Sequence, residues 1–247
     1  MESESTMQST LTLSQIALLH PAAVPVLEKF NLDYCCHGKQ TLEQACEGDL
    51  NKYNTVQEAL KSVTGQQGER PIDFQNMELN KLIFHIVNHH HRYVKEFMPV
   101  IQAHLQKVST KHGEGHPELK RIFELFAELV TEMTMHMKKE ESVLFPAIVQ
   151  IEDIYKSGVN TDKTFPITVP ISVMEKEHEQ AGSILEMIRA LTHNYTPPAS
   201  ACTTYQVTFK ELKEFEYDLH QHVNLENNIL FPRALKMLQN LIQASAN

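Results

Sequence analysis

Two copies of one short pattern, H-x3-E-x3-L-F-P, stand 86 residues apart in this chain: HMKKEESVLFP from His136 to Pro146 and HVNLENNILFP from His222 to Pro232. Residues four apart on a helix lie on one face, one turn above the other. His136 with Glu140, and His222 with Glu226, therefore each aim two donor side chains in one direction. A histidine precedes each copy in the preceding segment, at His91 (or its neighbour His90) and at His178. A repeat of this kind describes two similar helical hairpins supplying matching side-chain sets.

Helical apolar periodicity runs over about 76–107, 118–157, 170–194 and 203–243, separated by HGEGHP near 112–117, SGVNTDKTFPITVP at 157–170 and YTPPAS at 195–200. Four long amphipathic helices with such loops predict an antiparallel four-helix bundle. Ahead of it, residues 11–64 read as a small helical unit. Ser14 opens one helix, Pro21 sits in the first turn of the next, and Thr41 with Gln44 and Thr55 with Glu58 match capping boxes. DYCCHGKQ interrupts them as a loop. The expected organisation is all-α: a small helical domain at 1–65 bearing Cys35 and Cys36, a linker at 66–75, where the breaker-rich stretch Gly65–Pro71 runs out of that domain, and the bundle at 76–247.

Composition narrows the function. The formal charge is −9, from 22 Lys+Arg against 31 Asp+Glu, with no basic stripe, which excludes a nucleic-acid partner. No apolar run approaches the ~18 residues of a membrane span, and the polar segment Met1–Thr10 carries no secretory signal pattern. Cys35 and Cys36 are adjacent, a poor geometry for a disulfide. Free thiols fit a reducing, cytoplasmic compartment.

The repeated residues share faces with apolar side chains: Leu125, Leu129, Met133, Val143 and Leu144 beside His136 and Glu140; Phe215, Leu219, Ile229 and Leu230 beside His222 and Glu226; Met174, Ala181, Leu185 and Ile188 around His178. An uncompensated carboxylate in such a core costs several kcal/mol, and no lysine or arginine shares either stripe closely. A metal supplies the missing positive charge. Four imidazoles and two carboxylates exceed a closed tetrahedral zinc site; divided between two ions they suit iron, or manganese. The competing interpretation is a set of core histidines and salt bridges. One H-x3-E is ordinary in a chain with 14 histidines; two, each followed by L-F-P on an apolar face, are not. On the first helix, Phe84, Val87, His91, Val94 and Met98 form one apolar set and Ile83, Ile86, His90, Tyr93 and Phe97 another, so periodicity leaves His90 and His91 both open. Glu132 and Glu177 are placed to hydrogen-bond a ligand imidazole or relay protons. Pro146 and Pro232 are expected to bend their helices just past the ligands.

Asp33-Tyr-Cys-Cys-His-Gly-Lys-Gln-Thr-Leu42, HIVNHHHRYVKEFMP, HMKKEESVLFP, PISVMEKEHEQAG and HVNLENNILFPRA together resemble the iron–sulfur cluster repair di-iron proteins, over nearly the whole chain. The resemblance implies a hemerythrin-like bundle, with two iron ions held by His91, His136, Glu140, His178, His222 and Glu226; the spacing to Pro99 selects His91 over His90. It implies repair of iron–sulfur proteins damaged by nitrosative or oxidative stress, by iron donation, with reductive nitric oxide chemistry attributed to the same centre. Cys35 and Cys36 are then candidates for receiving iron or electrons. The resemblance also implies a homodimer. His37 stands where glycine is more usual and adds a thiolate or metal partner beside the cysteines. The alternative from another class is a hemerythrin-like module that binds or senses oxygen or iron without turnover; a third is a structural helical protein with zinc or no metal.

Overall fold

The computed structural model describes residues 10–64, 72–158 and 165–245. The start of the polar N-terminal segment, the expected breaker Gly65–Pro71 and the centre of the 157–170 loop lie outside the described residues. Those described divide into two compact units. One comprises residues up to Met77 together with Val223–Pro232, the other Glu78–His222 with Arg233 onward.

In the first unit, helices α1 (Leu13–Leu19), α2 (Val24–Lys29), α3 (Leu42–Ala45) and α4 (Leu50–Thr64) surround a core of Leu13, Ile16, Leu27, Tyr34, Val56 and Leu60. Pro21 opens a 3-10 turn, Pro21–Ala23, that leads into α2. Thr41 and Gln44 form the expected capping box. Two expected starts move. Thr12, not Ser14, caps α1: it is extended, accepts from the Gln15 N–H and is capped back by the Gln15 side chain, while Ser14 is buried inside the first turn. Helix α4 begins at Leu50 rather than Thr55, because the Asp49 carboxylate accepts from the N–H groups of Asn51 (2.9 Å) and Lys52 (3.0 Å). Thr55 lies within the helix, its hydroxyl donating to Asn51 O.

The larger unit is built on long helical runs, the fourth of which also contributes Val223–Pro232 to the first unit. The first is α5 (Leu79–His85), a π-turn (Ile86–His91) and α6 (Arg92–His112). The second is α7 (Glu118–Lys139), a π-turn (Glu140–Leu144) and α8 (Phe145–Ser157). The third is α9 (Thr168–Leu191). The fourth is α10 (Thr203–Leu225), a π-turn (Glu226–Leu230) and α11 (Phe231–Ser245). Helix α7 packs against α6 and α9, and α5 against α8, as a bundle of successive antiparallel helices requires. Ile101, Leu105, Ile122, Phe126, Leu129, Ile148, Ile188, Leu212 and Phe215 are essentially fully buried. Each such side chain stabilises the fold by roughly 1.5–3 kcal/mol. Phe126 meets Phe215 edge-on, with centroids 5.4 Å apart. No described helix is long and apolar enough to cross a membrane.

The π-turns change which residues face inward. A π-turn bonds i to i+5 and inserts a residue into the helical register, so the buried stripe jumps. On the first run the inward set is Ile83, Ile86 and His90 before the jump, and His91, Val94, Met98 and Ile101 after it. Each of the two alternative stripes is thus buried for half its length, and Phe84 is 68 % exposed. For the same reason Val143, expected in the core, is 62 % exposed. The second and fourth runs each reach a proline two residues after the π-turn. A proline ring clashes with the carbonyl four residues back and offers no N–H, which disfavours regular α register at Pro146 and Pro232. The distortion expected just past the repeated histidines and glutamates therefore begins at Glu140 and Glu226 themselves.

Glu152, 1 % exposed on α8, caps α5 from another helix. Its carboxylate accepts from the N–H groups of Leu79 (2.8 Å) and Asn80 (2.9 Å), with Lys156 at 3.3 Å. Glu78, at the cap position, makes no side-chain cap of its own. Replacing Glu152 by Ala strands two helix-terminal donors and is expected to lower stability by about 2–4 kcal/mol in urea denaturation.

Candidate metal centre

Within the larger unit, His91, Glu140 and His222 bring donor atoms within 4.8 Å of one another, and so do His136, Glu140 and His178. Glu140 belongs to both groups. The two imidazole pairs approach through Nε2, His91 to His222 at 3.1 Å and His136 to His178 at 3.0 Å. Glu140 Oε2 lies 3.4 Å from His91 Nε2 and 3.3 Å from His136 Nε2. All five side chains are at most 1 % exposed. Glu226 is also fully buried; it stands one turn beyond His222 on the same helical run and opens its π-turn as Glu140 opens the preceding one.

The π-turn on the first run explains how two adjacent histidines both turn inward. His91 reaches Glu140 and His222, whereas His90 places Nδ1 3.0 Å from Asp218 Oδ1.

Two of the imidazoles have their tautomers set by carboxylates. His91 Nδ1 is 2.7 Å from Glu141 Oε1, and His136 Nδ1 is 2.9 Å from Glu177 Oε2. An ionised carboxylate only accepts, so each Nδ1 carries the hydrogen and donates, leaving an Nε2 lone pair turned toward the centre. Lysines hold both carboxylates: Lys95 lies 2.6 Å from Glu141, and Lys139 bonds the other oxygen of Glu177. Burial pushes both carboxyls up, but the lysine and then the histidine hydrogen bonds outweigh it and keep each below the usual carboxylate range. Both thus stay acceptors at neutral pH.

The centre therefore gathers acceptors. The His91 and His136 Nε2 atoms face a buried carboxylate, an arrangement that a cation among them would stabilise. The nitrogen and oxygen donors suit a metal such as iron, manganese or zinc, and Glu140 is common to both groups.

Glu177 lies where the sequence suggests, bonded to His136. Glu132 bonds no ligand histidine among the described contacts; partial burial, then Glu128 and Glu177, raise its carboxyl. Glu141 was not anticipated. Nothing in the H-x3-E pattern marks it, and only the π-turn at Glu140–Leu144 lets consecutive glutamates meet opposite nitrogens of the same imidazole.

The Cys35–Cys36 loop belongs to the other unit and is organised by Asp33. Its Oδ1 accepts from the N–H groups of Cys35 and Cys36 (both 2.9 Å) and from the Cys35 thiol (3.2 Å). The thiol sulfurs are 3.9 Å apart. His37 does not partner them: it is exposed, and its Nδ1 pairs with Asp33 Oδ2 at 2.6 Å. Gly38 is required here, because a Cβ would sit 2.1 Å from Tyr34 O. Asn228 donates to Cys35 O (2.9 Å) and to Asn224 Oδ1, which also accepts from Ser14 (2.7 Å). The hydrogen bond with Cys36, burial and the charge of Asp33 push the Cys35 thiol well up, so it is protonated at neutral pH.

Helical fold and buried histidine–carboxylate cluster together define a metal-binding helical-bundle protein. Residues 82–234 match the hemerythrin HHE cation binding domain, and residues 10–64 match a domain of unknown function, DUF542. The chain is 38% identical over 225 residues to the iron-sulfur cluster repair protein YtfE of Enterobacter sp., covering 90% of this chain and 96% of that protein. The same-named proteins of Shigella boydii and Escherichia coli are each 36% identical over 223 residues, with the same coverage. The chain belongs to the family of the iron-sulfur cluster repair protein YtfE.

Replacing Glu141 or Glu177 by Ala frees the tautomer of His91 or His136 and is expected to weaken divalent-metal affinity 10–100-fold in a chelator competition. Cys35 is expected to alkylate more slowly than Cys36 at pH 7, followed by mass spectrometry of the native protein.

Proposed function

We propose that this protein repairs iron–sulfur clusters damaged by nitrosative or oxidative stress by donating iron from a di-iron centre. The residues that would hold it are His91, His136, Glu140, His178, His222 and Glu226, with the two glutamates placed to serve both irons. The observation that carries this reading is the sharing of Glu140 by two buried donor groups, each containing a close pair of imidazoles. The internal repeat supports Glu226 as its counterpart, since both glutamates follow a ligand histidine by four residues and open a π-turn. Repair is what the names of the relatives state of those proteins.

When bound, the iron pair supplies redox chemistry and a labile metal for donation. The chain's own residues do the rest. Glu141 and Glu177 hold the His91 and His136 Nδ1 protons away from the centre, so the Nε2 atoms stay basic ligands. Lys95 and Lys139 anchor those carboxylates. The apolar walls exclude bulk water, favouring a small uncharged ligand such as nitric oxide or oxygen at any open position. Cys35 and Cys36 form a small soft-donor site with Asp33 that receives iron or electrons during delivery to a damaged protein. An oxygen carrier has no need of it. The unbridged cysteines suit a reducing compartment, which supports a cytoplasmic location. We take the domains as 1–65 and 76–247 and the working form as a homodimer, following the family resemblance.

Protein purified without air is expected to carry about two irons per chain and to show the absorption of a bridged ferric pair after oxidation. One zinc, or no metal, would sink the di-iron reading. Changing Cys35 and Cys36 to Ser is expected to abolish reactivation of a nitric oxide-damaged iron–sulfur enzyme while leaving iron content intact. Undiminished reactivation removes the cysteines from the mechanism.

A further inference from the structure

The first helical run carries histidines beyond the proposed ligand, and they form a sequence of rings. His89 is exposed, His85 half-buried and His90 buried. The His85 and His89 ring centroids are 4.3 Å apart, and those of His85 and His90 are 5.7 Å apart. His90 in turn stacks on His222, with centroids 5.8 Å apart and planes within 6°. The π-turn Ile86–His91 brings residues four and five apart onto one side, and thereby makes this continuity.

We propose that His89, His85 and His90, with Asp218, form a transfer path that passes ferrous ions between solvent and the metal centre at His222. The proposal rests on the di-iron reading above.

The spacing suits that role. An imidazole nitrogen binds a first-row metal at about 2.0–2.1 Å, so two rings sharing one ion have centroids no more than about 6–6.5 Å apart. Every step in the series lies inside that limit. An ion can therefore gain the next imidazole before losing the last, and need not cross a gap without ligands.

The rings are also in the form that ligation requires. Asp218 Oδ1 lies 3.0 Å from His90 Nδ1. A carboxylate there takes the Nδ1 hydrogen and leaves Nε2 as the acceptor, as Glu141 and Glu177 do for His91 and His136. The second Asp218 oxygen is shielded from solvent and accepts no hydrogen bond among the described residues, which leaves a further oxygen donor beside the path. Burial, together with His89 and His90, lowers His85 to about 4, so it is neutral at pH 7.

A conduit must bind well enough to admit an ion and weakly enough to release it. Two imidazoles without a direct carboxylate ligand make a weaker site for ferrous iron than imidazoles combined with Glu140. Binding thus strengthens inward, and an external acceptor of higher affinity reverses the flow along the same rings. This matches the demand on an iron donor, whose metal must be both retained and mobile. The bland alternative is a group of solvated and hydrogen-bonded histidines that keep the helix surface polar. It makes no difference to metal kinetics.

The test compares the native chain with H89N and H85N/H89N, all loaded anaerobically with ferrous iron. Two rates are followed by absorbance: iron uptake by the metal-free chain, and iron capture by excess chromogenic ferrous chelator. In H85N/H89N both rates are expected to fall by at least about tenfold, with iron per chain at equilibrium and the oxidised spectrum unchanged. H89N, altered only at an exposed side chain, is expected to show an intermediate slowing. Native rates in both variants at equal iron content overturn the path and leave the di-iron reading standing. Lower equilibrium iron content with native rates also overturns it. A native chain that takes up no iron removes both readings together.

Discussion

Acceptor atoms converge in the middle of this bundle, and the surrounding architecture depends on how that convergence is relieved. Two imidazole lone pairs and a fully buried glutamate meet within hydrogen-bonding distance. Such an arrangement is unfavourable in a low-dielectric core without positive charge among the donors. The protein raises the demand for a cation further. Glu141 and Glu177 take the outward hydrogens of His91 and His136, and Lys95 and Lys139 keep those glutamates ionised. Positive charge thus stands one layer out, on lysines that cannot neutralise Glu140 directly. A metal cation is the complement this layering calls for.

The π-turns are the means by which a regular bundle presents so many donors in one layer. A plain α-helix offers one face and spaces its inward residues by three or four. Each inserted residue rotates the face and allows neighbours in sequence to turn inward together: His90 with His91, and Glu140 with Glu141, which reach one imidazole from opposite sides. Irregular turns of this kind are less favourable than α-helix and cluster at functional positions. Here the prolines that follow two of them disfavour the regular alternative, so the local cost is written into the sequence as L-F-P.

The cysteine loop applies the same economy with different chemistry. One carboxylate, Asp33, accepts from three backbone N–H groups, a thiol and an imidazole, and so holds two adjacent cysteines in place without a disulfide. The cost is reactivity, because a negative group beside Cys35 discourages its ionisation. A protonated Cys35 is a poor nucleophile but still a soft ligand once a metal displaces the proton. That suits a receiving site better than a thiol-exchange enzyme.

The H-x3-E-x3-L-F-P repeat and the apolar stripes around it specified the helical bundle, the buried faces and the residue types that meet there, because helical periodicity is a local property of the chain. Capping was less legible: Thr12 and Asp49 displaced Ser14 and Thr55, since several polar residues compete to start each helix. The inward position of both His90 and His91, the exposure of Val143 and the role of Glu141 were not legible at all. Each follows from a shift of helical register, and a π-turn is selected by packing against neighbouring helices rather than by the residues within it. Which imidazoles face each other, and which carboxylate holds which ring, were likewise decided only in three dimensions. His136 and Glu177 are 41 residues apart, and His91 and His222 are 131 apart; no local pattern carries such pairings.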